Sequence, residues 1–153
     1  MKLDIDCLRD VLICVEDNTG LHQSCVFYDV PVMEKNCSLL GKEKPDIPGY
    51  QAELIEKYKG SDIIFYHVLQ CVEGGLIKRV DGTAEYEAVI IGLSYEGHSF
   101  IADLKDPEVK KSLDEIILNK GKDMSIGVLK ELAKSIAVGF AKEIARSQGI
   151  PIP

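Results

Sequence analysis

Leu8, Val11, Leu12 and Val15 recur at helical spacing, with Asp6, Arg9, Asp10, Glu16 and Asp17 on the opposite face. The pattern predicts a first helix over about 4–17, with Asp4 to cap its start and "DNTG" at 17–20 to stop it. From Cys25 the period changes to two: Val26, Tyr28, Val30 and Val32 alternate with Phe27, Asp29, Pro31 and Met33. A short strand over 25–33 is expected, held to an edge or a bulge by Pro31. Residues 34–49 contain two prolines and two glycines and read as loop.

Helical spacing returns over about 50–59 and 61–73, separated by "KGSD". Gly60 should stop the first helix and Ser61 cap the second. The second places Ile64, Phe65, Val68, Leu69, Cys71 and Val72 on one face and Asp62, Tyr66, Gln70 and Glu73 opposite, with Ile63 and His67 on the flank. Gly74-Gly75 then ends it. "LIKRV" and "AVIIGL" are short apolar runs around "DGTAEYE", where Asp81-Gly82 marks a turn. Three more helices are expected: from Ser94 to about 106, from Pro107 to about 119, and from Ser125 to about 146. The tail "GIPIP" cannot continue the last of them.

Helix, strand, helix, helix, strand, turn, strand is the order of a winged helix-turn-helix. The expected class is mainly α with a small antiparallel β-sheet (α+β). A winged-helix-like domain over 1–105 would be followed by a C-terminal helical extension over 106–153, packed on the domain or in a dimer interface. The stretch "IIGLSYEGHSF" at 90–100 then becomes the second wing strand running into a helix. Ser94, Gly97 and His98 form a structural joint there, with Gly97 allowing a close approach, rather than a reactive centre.

"GLIKRV", "IIGLSYEGHSFIADLKD" and "SIGVLKELAKSI" resemble signature stretches of the domain of unknown function 2513 family, uncharacterised bacterial proteins often encoded by phages and prophages. "MKLDIDCLRDVLICVEDN" and "FYHVLQCVEGGLI" are similar to that family's opening and central helix. The resemblance covers most of the chain and is most specific at Glu96-Gly97-His98. It implies a winged-helix-like fold but no catalytic residues and no ligand.

Composition narrows the function classes. A chain of 153 residues with 46% hydrophobic and 28% charged residues is ordinary for one globular domain. The acidic opening is not a signal peptide, and no run suits a membrane span, so a cytoplasmic location is expected. Cys7, Cys14, Cys25, Cys37 and Cys71 lack paired zinc spacing and read as reduced, buried thiols. No metal and no cofactor are expected.

Charge is uneven. Residues 1–60 hold 7 basic and 11 acidic groups (net −4), residues 61–100 hold 2 and 6 (net −4), and residues 101–153 hold 9 and 8 (net +1). DNA readers concentrate Lys and Arg where they meet phosphate. The candidate recognition surface here is Asp62, Tyr66, His67, Gln70, Glu73, Lys78 and Arg79, and only Gln70 is a conventional base reader. We therefore expect a non-enzymatic protein of phage or prophage type acting by macromolecular recognition, with a protein partner preferred. A DNA-binding regulator is the alternative, and a small enzyme using His67 and His98 a remote one. No familiar catalytic motif is present. Leu129, Ala133, Ile136, Phe140 and Ile144 form a stripe on the last helix that could support a homodimer.

Overall fold

A computed structural model describes residues 1–120, 124–147 and 149, with the side chains of Lys120 and Ile144 left out. The described chain is mainly α with one small antiparallel sheet, an α+β protein. Helix α1 (Ile5–Asn18) begins where its apolar spacing begins. The Asp4 carboxylate accepts hydrogen bonds from the backbone of Asp6 (2.9 Å) and Cys7 (3.2 Å), satisfying two donors of the first turn. At the other end, Asn18 Nδ2 and Thr19 Oγ1 donate to the carbonyls of Cys14 and Val15. Leu8, Val11, Leu12 and Val15 are fully buried, as the stripe requires.

Strand β1 (Cys25–Tyr28) is shorter than the alternation suggested. The chain turns at Asp29 into helix α2 (Val30–Leu39), which replaces the end of the expected strand and the start of the expected loop. Pro31 explains the correction: proline has no amide proton to give, and a first helical turn needs none, so it starts a helix as readily as it limits a strand. Met33 and Cys37 of α2 then bury themselves with Tyr28 of β1, against Val30, Ile47 and Tyr86. Tertiary burial decided between two local readings.

Helices α3 (Gly49–Tyr58) and α4 (Ser61–Glu73) follow as expected, but their junction differs in detail. Lys59, at φ 59°, is the left-handed residue that ends α3, and Gly60 is extended and stands at the N-cap of α4. Ser61 is the first helical residue and makes no side-chain cap. Gly75, at φ 73°, ends α4: its amide reaches the Val72 carbonyl and the Leu76 amide reaches that of Cys71.

The hairpin is β2 (Ile77–Arg79) and β3 (Glu87–Leu93), with a bulge between Lys78 and Arg79. β1 joins the same sheet, pairing antiparallel with β3 from Cys25 opposite Ile90 to Tyr28 opposite Glu87, so the order is β1-β3-β2. The inward side chains Phe27, Ala88 and Ile90 are fully buried with Leu8 and Leu12 of α1 and Ile64 and Val68 of α4. Three more helices follow: α5 (Tyr95–Lys105), α6 (Pro107–Lys120) and α7 (Ile126–Ser147).

The chain divides into two compact units, Met1–Gly97 and His98–Pro153, and the division falls within α5. In the second unit α6 and α7 pack on one another, burying Val109, Leu113, Ile126, Leu129 and Ala133. Among the described residues, no helix is long and apolar enough to cross a membrane.

Candidate functional site

The outer face of α4 and the adjoining β2–β3 hairpin carry most of the residues that the sequence offers for recognition. Asp62, Glu73 and Lys78 are exposed; Tyr66, Gln70 and Arg79 are half-buried. The hairpin tip adds exposed Asp81 and Glu85 and half-buried Glu87. Gly82 turns the tip at φ 83°. The one arginine of the hairpin is already occupied. Its Nη2 donates to the carbonyl of Glu87 (2.7 Å) and more weakly to that of Ala84 (3.4 Å), while Thr83 Oγ1 donates to the same Glu87 carbonyl (3.0 Å). Arg79 therefore braces the β2–β3 loop from within.

His67 leaves the surface. It is 1% exposed, although a reading from helical spacing sets it on the flank of α4. Its Nε2 accepts the amide of Asp4 (2.9 Å), and its Nδ1 lies 2.8 Å from the carbonyl of Ile63. Both bonds form together when the proton sits on Nδ1, in the neutral ring. Burial lowers the pKa of the ring below its ordinary value; the Ile63 carbonyl and the Asp4 carboxylate oppose that shift without overcoming it. Both nitrogens serve the backbone, so His67 has none left for ligation or proton transfer. Tyr66 meets its ring edge-on at 5.3 Å. The histidine is a peg joining α4 to the start of α1.

Two further polar joints were invisible in the sequence. β1 lies at the edge of the sheet, and its outward backbone groups at Val26 and Tyr28 face α3 instead of a fourth strand. Tyr50 Oη accepts the Val26 amide and donates to its carbonyl, both at 2.7 Å. Gln51, fully buried, accepts the Tyr28 amide at Oε1 (3.0 Å) and donates to its carbonyl through Nε2 (2.7 Å). Two neighbouring side chains thus occupy four backbone positions and close an edge open to further pairing. Elsewhere Asp10 of α1 accepts from Lys57 Nζ (2.6 Å) and Tyr58 Oη of α3. Burial works to raise the Asp10 carboxyl, but the bonds from Lys57 and Tyr58 hold it below its ordinary value. A composition of common Tyr, Gln, Asp and Lys gives no sign of which of them will meet.

The joint in "IIGLSYEGHSF" is resolved geometrically. Ser94 Oγ donates to the Gly75 carbonyl (2.5 Å) and accepts the Gly97 amide (3.0 Å), and the Ser94 amide donates to the Leu76 carbonyl (2.9 Å). Gly97 lies directly against the Leu76 backbone: a Cβ added there would stand 2.0 Å from the Leu76 oxygen. The end of α4, the start of β2 and the start of α5 are thereby fastened at one point. His98, the next residue, is exposed.

The cysteines all lie in the first unit. All five are free and buried. Burial pushes Cys7 and Cys14 up to about 12 and Cys25 up to about 11, and raises Cys71 as well. Among the described residues, no group of three or more His, Cys, Asp or Glu side chains is arranged to hold a metal ion.

The stripe expected on α7 is partly buried. Leu129 and Ala133 are buried and Ile136 and Phe140 half-buried; the side chain of Ile144 lies outside the described residues.

The chain belongs to the family described as Hypothetical protein (DUF2513), whose model matches residues 2–123. It is also similar to an uncharacterized protein of Haemophilus influenzae (strain ATCC 51907 / DSM 11121 / KW20 / Rd), 28% identical over 78 residues, which are 50% of this chain and 66% of that protein. The chain thus spans just under two thirds of that relative's length. No solved structure matches.

Proposed function

We propose that the first unit of this family member is a winged-helix-like module that works by recognition, offering α4 and the wing to a protein with a basic surface. The order α1, β1, α3, α4, β2, β3 and the strand order β1-β3-β2 support the winged-helix reading, with α2 as an insertion beside the sheet. One observation carries the choice of partner. Asp62, Glu73, Asp81 and Glu85 are exposed on this face, whereas Arg79 is tied to the wing carbonyls. A phosphate backbone approaching it meets carboxylates, and each like-charge approach lowers affinity. Tyr66 and Gln70 supply contact area and hydrogen bonding at its centre. Five buried, free cysteines fit a reducing cytoplasmic setting.

The test is binding of random-sequence duplex DNA across a salt series, beside a DNA-binding winged-helix control. No binding at low salt is expected. Tight binding that weakens steeply with salt would overturn the reading in favour of a DNA-binding regulator. In parallel, Tyr66→Ala and Gln70→Ala should keep the fold, measured by circular dichroism, and lose whatever protein partner the parent chain retains. Retention by both variants would move the functional surface elsewhere.

A further inference from the structure

Helix α7 has a second face, opposite the stripe that packs. Val128, Leu132, Ser135, Gly139 and Lys142 succeed one another at steps of three and four along it, with Glu131 and Val138 at its border. Val128 is 48% and Val138 46% exposed, although both are branched apolar residues. Two shallow depressions lie along this face and share Glu131 and Ser135. The first is lined by Ser125, Gly127, Val128, Glu131, Leu132 and Ser135, and the second continues through Val138 and Gly139 to Lys142. The face is narrowest at Ser135 and Gly139, one turn apart. A Cβ added at Gly139 meets nothing within 4 Å, so no packing among the described residues requires that glycine.

We infer that this face pairs with its counterpart on a second copy of the chain, the two α7 helices running antiparallel about a two-fold axis between Ser135 and Gly139. The charges select that occupant. Glu131 lies about one turn before Ser135 and Lys142 about one turn after Gly139, so an antiparallel copy centred there sets Glu131 opposite Lys142 of the partner subunit. Symmetry repeats the pair. A parallel pair in register sets Glu131 against itself and Lys142 against itself. Small residues at the crossing let the helix axes approach, Val138 flanks the crossing, and Val128 and Leu132 extend the contact toward its ends. The pairing uses a different surface from α4 and the wing, and does not depend on what they bind.

Sedimentation equilibrium of the full chain over a concentration series tests this. A reversible dimer is expected, weakening as salt rises. Glu131→Lys and Lys142→Glu should each weaken association on the order of tenfold, since each replaces two attractive pairs by two repulsive ones. The double variant carrying both changes should restore it. Gly139→Gln, on an open helical surface, should fold normally by circular dichroism and yet sediment as a monomer. A parent chain that is monomeric at every concentration overturns the inference. So does a dimer indifferent to Gly139→Gln, or one that the double charge reversal fails to restore.

Discussion

Two helical glycines, Gly97 and Gly139, look alike in the sequence and differ in what surrounds them. At Gly97 a side chain has no room, because the Leu76 carbonyl oxygen stands 2.0 Å from where Cβ would be. At Gly139 the same added atom meets nothing within 4 Å. In the isolated helix both residues carry the same penalty, the backbone entropy that glycine loses on being ordered. The first offsets it with a close backbone approach that joins α4, β2 and α5. The second offsets nothing among the described residues, and the proposed pairing with a second copy would be a physical reason to keep it. A glycine inside a helix is therefore informative only once its neighbours in space are known.

The comparison breaks most visibly at Gly97. Gly97→Val should lower stability by at least about 3 kcal/mol, because the obstructing atom is backbone and cannot rotate away. For a chain of this size that is a fall in melting temperature of roughly 10 °C. An unchanged melting temperature in differential scanning calorimetry would refute the close-approach account.

A middle-sized effect concerns His67, another residue whose meaning lies in its surroundings. Its pKa is lowered in the folded state and returns to the ordinary value, about 6.5, on unfolding. Below that pH the unfolded chain takes up a proton that the folded chain refuses, so stability falls as the solution is acidified. The contribution is complete above about 6.5, is lost progressively down to the lowered folded-state pKa, and changes no further below it. The loss is at most about 1.4 kcal/mol for each pH unit in that window. Denaturant titrations of the parent chain and of His67→Gln between pH 7 and 5 should differ in slope. Parallel curves would mean that the ring is not held neutral between Asp4 and Ile63.

The smallest effect has the opposite sign. Gly139→Ala, measured at a concentration low enough to keep the chain monomeric, should stabilise it by about 0.5–1 kcal/mol through helix propensity alone. Destabilisation would show that Gly139 has a close neighbour after all, and would erase its contrast with Gly97.

Much of the element order was legible because local rules agreed with one another. The α1 stripe, the Asp4 cap, the glycine stop after α4, the Asp81-Gly82 turn and Ser94 at the start of α5 each combine periodicity with a matching end signal. At α2 the rules conflicted: Pro31 and the valine alternation admitted both a strand edge and a helix start. Asp29 before Val30-Pro31 was the available sign of a helix, and a period of two over so few residues could not outweigh it. The surface of α4 was legible for Asp62, Tyr66, Gln70 and Glu73, because helical spacing separates an apolar face from its opposite. It failed at His67, where a polar residue on the flank found two backbone partners and could be buried at little cost. Arg79 was offered for the recognition surface, but its preference for nearby carbonyls could not be read from a strand of three residues.

The sequence by itself determined the mainly α character, the small sheet, the acidic middle of the chain and the tight joint around Gly97, because each rests on spacing and composition along the chain. Only the tertiary structure decided that Tyr50 and Gln51 close the edge of β1, that His67 pegs α4 to α1, that Arg79 serves the β2–β3 loop and that Leu129 and Ala133 of α7 are buried. Those outcomes depend on which unsatisfied backbone groups and apolar surfaces meet once distant segments are brought together. Periodicity says which way a side chain faces on its own element; it carries no information about the carbonyl or amide waiting on the other side.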